Sequence, residues 1–444
     1  MDERVSRRRF LGAVGAAATG TVAGCQSAPG GEPTGRIDED HLPSSTFAET
    51  QFRGNLQRQG VYPEATIPTD PAVEWTVREV NTGEHTAAKA SPVATPDGDI
   101  VVPGDDRVVR RVSPDGEVQW TATVEPTSRG MHGTPAIANG TVYVGAYDGA
   151  LYAFDLETGE RYWRRKLGDA IGSSPGYHDG TVYIAVEYYE PSGALFGVDA
   201  VTGEVVWSSQ RPTNHPHSTC AIDREAGRIV VGSNDGMVYA WTYPDLEFAW
   251  TFETGRPIKG PIATADGSAF FGSWDRYFYR IGLAEGKEEW AVESGGMVMS
   301  GPSVEPATDT VYIGSHDTYL YALEMGTGEE RWTFDTGGSL IGCPTVTSEH
   351  VLVGSIDESV YAVEKASGEE QWAVQTAGEA TSTPLVHDGA VYFTDRAAKS
   401  YLDARYGTDT PPGTDADATS ETSTATAAPD PAESGALYKV GPAE

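Results

Sequence analysis

The chain has 444 residues and carries 65 acidic against 31 basic side chains, a formal charge of −34. That charge repels nucleic acid and anionic surfaces, so no nucleic-acid partner is expected. Three cysteines are too few for a disulfide framework, and beyond the N-terminus no apolar run reaches the roughly 18 residues of a membrane-spanning helix.

Residues 1–24 read as an address. Ser6-Arg7-Arg8-Arg9-Phe10-Leu11 is a twin-arginine pattern, followed by a short run of Ala, Gly and Val. The run is too short to span a membrane and fits the apolar part of a signal peptide. It ends in Val22-Ala23-Gly24-Cys25, a lipobox pattern that predicts a diacylglycerol thioether on Cys25. The alternative is a plain twin-arginine signal with a chance cysteine. The first reading makes the cell membrane a partner through lipid and expects an exported protein on the outer face of the cytoplasmic membrane. Residues 25–50 are Gly, Pro, Ser, Thr and acid without an apolar period, which predicts a flexible tether.

Self-similarity dominates the rest. Trp75, Trp120, Trp163, Trp207, Trp250, Trp290, Trp332 and Trp372 mark one position in a unit of 40 to 45 residues. Pro92, Pro135, Pro175, Pro261, Pro302, Pro344 and Pro384 mark another, with Cys220 in the fourth place. Each unit holds four short β-type runs separated by Asn-Gly, Asp-Gly or Thr-Gly-Glu turns. Four antiparallel strands per unit make a propeller blade, so residues 51–444 predict an all-β, eight-bladed propeller. The last blade is expected to take its outer strand from Val73–Val77. Its third strand is expected from Ser434–Val440, which repeats the Gly149-Ala150-Leu151-Tyr152 motif, leaving 397–433 as a largely disordered insert.

The unit running from Thr141 through Asp148-Gly149 and Thr158-Gly159-Glu160 to Trp163 resembles the PQQ-repeat family, named for quinone-dependent alcohol dehydrogenases. The single anchored propeller is also similar to BamB-type lipoproteins. An outer-membrane role is not carried over, because the acidic, lysine-poor composition resembles that of salt-loving archaea. The dehydrogenase resemblance implies PQQ with calcium as a cofactor. No Cys-Cys pair and no calcium triad match that expectation, so a binding or scaffold role is the leading reading and an oxidoreductase the alternative.

With the strands called A to D from the axis outward, the D–A and B–C connections share one end of the ring. The other end is acidic, with Asp97, Asp115, Glu117, Glu160, Glu204, Asp223, Glu225, Glu329 and Glu369 in its turns. The first end carries His85, Lys89, Arg129, His132, His215, His217, Arg256 and Lys259 in D–A loops, and Tyr147, Trp274 and His316 in B–C loops. Aspartates recurring there, such as Asp148 and Asp235, read as turn caps. Cationic loops gathered on one face of an acidic protein point to a partner protein, a glycan or a small polar ligand; the alternative is a solvated rim. His215 and His217 could share a metal, but no third ligand follows from spacing. Cys220 and Cys343 fall three blades apart and are expected as buried free thiols.

Overall fold

The computed structural model describes residue 37 and residues 45–83, 89–125, 129–398 and 430–443. Cys25, the signal and most of the tether lie outside the described residues, as do His85 and residues 399–429 of the expected insert. The described strands form eight antiparallel sheets of four strands each, the blades of one propeller.

Blade 2 shows how the unit folds. Strand A is Ala136–Ala138, B is Thr141–Gly145, C is Ala150–Asp155 and D is Arg161–Lys166. Asn139 and Gly140 join A to B with φ of 55° and 69°, the left-handed geometry of a two-residue hairpin turn. Strands A to C bury almost every side chain between neighbouring blades, while D shows part of its surface to solvent. Gly159, in the C–D turn, has φ 71° and lies so close to Trp120 that a Cβ would come within 2.7 Å of the ring. Conformation and contact both require glycine there.

Every D strand carries a bulge beside its tryptophan. In blade 2, Ala153 faces Trp163 and Phe154 faces Arg161, so Tyr162 is left over. The same slip accompanies Trp75, Trp120, Trp207, Trp250, Trp290, Trp332 and Trp372. A bulge re-aims a side chain, and here it turns the indole into the seam with the next blade. Trp163 Nε1 donates to Ala200 O at 3.1 Å, Trp250 to Leu283 O at 2.9 Å and Trp372 to Pro68 O at 2.8 Å. Trp207 is the exception. The turn it would meet is Tyr243-Pro244-Asp245-Leu246, without the glycine, and Trp207 packs edge-on against Trp241 instead.

The ring closes through both ends of the chain. Blade 8 takes strand A from Leu385–His387, B from Ala390–Thr394, C from Leu437–Pro442 and D from Pro71–Val77. Val391 pairs with Val440, and Val440 with Val73.

Residues 49–62 then run around the inner edge of the ring beneath the axis. Thr50 exchanges hydrogen bonds with Ile137, Leu56 O accepts from Ile222 N, Gln57 O from Thr264 N, Gln59 O from Val304 N and Gly60 O from Val346 N. Each contact falls on the strand A of a different blade. Arg53 and Arg58 point inward. Arg58 is fully buried and donates to the carbonyls of Cys220 at 3.1 Å, Phe52 at 2.9 Å and Pro175 at 3.2 Å. Arg53 serves Gly301 O at 3.3 Å, Ser303 Oγ at 2.9 Å and Pro302 O. Burial pulls the Arg58 pKa down to about 10, so it stays charged at neutral pH. The strap therefore seals the axis from the acidic end.

Candidate functional site: a two-tier well on the axis

The D–A and B–C connections do share one end, and their backbones interlock. Tyr147 N donates to Gly130 O, Glu187 to Ala170, Asn234 to His215, Trp274 to Pro257, His316 to Met297, Ile356 to Ser339 and Arg396 to Glu379. Two residues past each accepting carbonyl the chain reaches the axis. Those positions are His132, Gly172, His217, Lys259, Met299, Ile341 and Thr381, and with Lys89 from blade 1 they ring a well. One equivalent position per blade thus builds the wall. The B–C residues form the tier above it.

A neck lies below the wall. Ser91 N donates to Thr134 Oγ1 at 3.1 Å, Thr134 N to Ser174 Oγ at 2.9 Å and Ser174 N to Thr219 Oγ1 at 3.0 Å. Across the ring, Gly301 N donates to Cys343 Sγ at 3.3 Å, Cys343 N to Thr383 Oγ1 at 3.1 Å and Thr383 N to Ser91 Oγ at 2.9 Å. Small polar side chains here tie six of the eight seams, and Pro261 takes the neck position in blade 5. Phe52, from the strap, lines the bottom, and the cavity volume is about 50 Å³. Since a water needs at least about 10–15 Å³, that is room for a few waters or one small ligand group.

The wall is asymmetric in charge. Lys89, His132, His217 and Lys259 occupy the arc of blades 1 to 5, while Met299 and Ile341 occupy blades 6 and 7. Upper-tier residues hold the cationic arc in place. Lys259 Nζ sits 3.8 Å from the centre of the Trp274 ring, a cation–π contact. The His132 and Tyr147 rings are 4.5 Å apart, and Arg129 lies 5.5 Å over Tyr147. Glu187 Oε1 is 2.8 Å from His217 Nδ1 and its Oε2 is 3.8 Å from His215 Nδ1. Burial works to raise the Glu187 pKa, but His217, His215 and Arg129 outweigh it and hold the carboxyl below its usual range. Burial, helped by Lys89 and Lys259, keeps His217 below its ordinary value despite Glu187. At neutral pH a carboxylate therefore accepts from a neutral Nδ1–H. Burial pushes the Tyr147 phenol up, out of reach of physiological titration.

Of the residues singled out in the sequence, Lys89, His132, His217 and Lys259 meet at the wall. Trp274 and His316 stand in the upper tier, and Arg129 and His215 flank it. Arg256 is not brought in: its side chain is exposed, and its carbonyl accepts from the hydroxyls of Thr254 and Ser273. Asp148 and Asp235 are turn caps as expected, accepting from the amides of Ala150 and Met237 and from the hydroxyls of Tyr152 and Tyr239. Cys220 and Cys343 are free and buried. Glu187, Phe52, Met299 and Ile341 escaped the sequence reading of the site. The signal for Glu187 was a strand B of eight residues, Thr181–Tyr188, against five in blade 2.

Repeat, blade and closure together define a PQQ-type repeat propeller. The chain belongs to the family described as outer membrane protein assembly factor BamB, which matches residues 104–225, 221–332 and 284–407. BamB of Yersinia pestis is 24% identical over 53% of this chain and 60% of its own length. The dehydrogenase subunit of a quinone-type alcohol dehydrogenase of Gluconobacter oxydans is 27% identical over 42% of this chain and 27% of its own. The match thus spans less than two thirds of these curated relatives. Among solved structures, quinohemoprotein alcohol dehydrogenase of Comamonas testosteroni superposes with a TM-score of 0.69 at 16% identity, over 92% of this chain and 83% of that one. BamB of Moraxella catarrhalis superposes with a TM-score of 0.57 at 18% identity, over 73% and 97%. These two likenesses are of fold.

The dehydrogenase branch implies a quinone with calcium, and the residues of the well do not fit that pair. Glu187 is committed to two histidines, and among the described residues no three His, Cys, Asp or Glu side chains are placed to hold a metal ion. A hard cation such as calcium takes six to eight oxygen ligands, whereas this wall presents ammonium and imidazole. A pocket for a ligand of several rings holds roughly 300–1,000 Å³, far above the volume here.

Proposed function

We propose that this protein is an exported, membrane-anchored binding or scaffold propeller that engages a partner protein or polar ligand through its D–A/B–C face. The observation that carries the reading is the blind well: closed beneath by the 49–62 strap, open at that face, and cationic on one side in a chain of charge −34. Local field reversal of this kind draws anionic groups to one place on an otherwise repelling surface. The BamB-type relatives support a protein partner, because their name assigns them to an assembly.

The face is tested by capture from native membranes. Arg129→Ala with Lys259→Ala should reduce recovery of the bound partner several-fold, whereas Glu160→Ala with Glu329→Ala on the opposite end should leave it unchanged. The reverse pattern would put the contact on the wrong end of the ring. Anchoring rests on the lipobox. Cys25→Ser should release the domain from membranes or block processing, and Arg7→Lys with Arg8→Lys should trap precursor in the cytoplasm.

A further inference from the structure

The well has two unlike sides, and that difference selects a ligand more narrowly than charge does. Lys89, His217 and Lys259 face the axis from one arc, and Met299 and Ile341 from the other. A bare inorganic anion would satisfy the first arc and leave the second against water. A neutral apolar ligand would match the second arc alone and set apolar surface against the lysine and imidazole side chains of the first, which costs desolvation. Lys259 is preorganised on the Trp274 ring, and His217, held through Nδ1 by Glu187, meets a carboxylate by taking up a proton at Nε2, so little side-chain ordering remains to oppose binding.

We propose that the well takes a carboxylate bearing a short aliphatic group, the carboxylate against Lys89, His217 and Lys259 and the aliphatic part against Met299 and Ile341. The inference rests on the reading of this face as the binding face. The volume of about 50 Å³ limits the occupant to one such group. Two sources present the same chemistry: a free short-chain acid, or the C-terminal residue of a partner chain that ends in a small aliphatic side chain and rises through the upper tier.

The experiment is calorimetric titration of the full chain with acetate, butyrate, butyramide and the tripeptide glycylglycylvaline. Butyrate should bind about fifteenfold more tightly than acetate, at about fourfold per methylene buried, and butyramide at least tenfold more weakly than butyrate. Lys259→Gln should lower butyrate affinity about tenfold or more, and Ile341→Asn should erase the difference between butyrate and acetate, both with the wild-type near-UV circular dichroism. Binding of the tripeptide without butyrate would support the same chemistry with a partner chain as its source. Equal affinity for butyrate and butyramide, or for butyrate and acetate, overturns the proposal, as does failure of folded wild-type protein to bind either butyrate or the tripeptide. Membrane capture by the face would survive that failure if only the ligand class is wrong, and would fail with it if the face itself is wrong.

Discussion

Glu187 of blade 3 and His217 of blade 4 join across a blade seam, Oε1 to Nδ1 at 2.8 Å, at the edge of the axial well. The bond fixes the imidazole tautomer and turns a residue pair separated by 30 positions into one element of the wall. It also makes the protonation of His217 depend on what occupies the well.

Glu187, Lys89 and Lys259 act on His217, and His215 and Arg129 act on Glu187. Burial holds its folded pKa below the ordinary 6.5. Its contribution to stability is thus present above 6.5 and is lost as pH falls from there through the folded value. A bound carboxylate favours the imidazolium. Butyrate binding should therefore be accompanied by proton uptake and should tighten as pH falls below 6.5 toward the folded value of His217. Calorimetry in two buffers of different ionisation enthalpy reads the proton count, and His217→Phe should abolish it.

The tryptophans should not be equal. Trp163 is fully buried and hydrogen-bonded to Ala200, so Trp163→Ala should cost about 3–5 kcal/mol in urea denaturation. Trp207 is only partly buried and meets no glycine turn. Trp207→Ala should cost clearly less, about 1–2 kcal/mol, the order of burying part of one large side chain.

Closure by the C-terminal strand should matter to the whole ring. A chain ending at Thr410 loses Leu437, Tyr438 and Val440, which are buried between Val391–Thr394 and Val73–Val77. At about 1.5–3 kcal/mol for each buried side chain, the loss is roughly 5–9 kcal/mol. The truncated protein should melt well below the full chain, and a matching Tm would show that the last strand is dispensable.

Two buried aspartates lie where the ring closes. Burial raises the pKa of Asp105 to about 7 and of Asp395 to about 7. Asp105 Oδ1 accepts from Gly83 N at 2.7 Å, and Asp395 accepts from Ala436 N at 2.6 Å and from the Tyr438 hydroxyl at 3.0 Å. The folded state binds these protons while the unfolded chain, near 3.8, does not. Their stabilisation is therefore full below about 4 and is lost as pH rises toward 7. The Tm of Asp105→Asn relative to wild type should improve as pH rises from about 5 to 8, and a difference independent of pH would refute the assignment.

The sequence by itself determined the number of blades, the strands that close the ring and the end at which the D–A and B–C loops gather. Those features are written locally, in alternating apolar runs, in glycines that permit φ > 0 and in a tryptophan repeated once per unit. Only the tertiary structure decided which loop residues meet. His132, His217 and Lys259 are neighbours because the ring brings one equivalent position from each blade to the axis, whereas Arg256, three residues before Lys259, stays at the surface. The neck of hydroxyls and the Glu187–His217 bond likewise depend on contacts between blades. A pattern that repeats within one unit cannot specify them, since each joins residues whose spacing acquires meaning only when the sheet order and curvature of the whole ring are set.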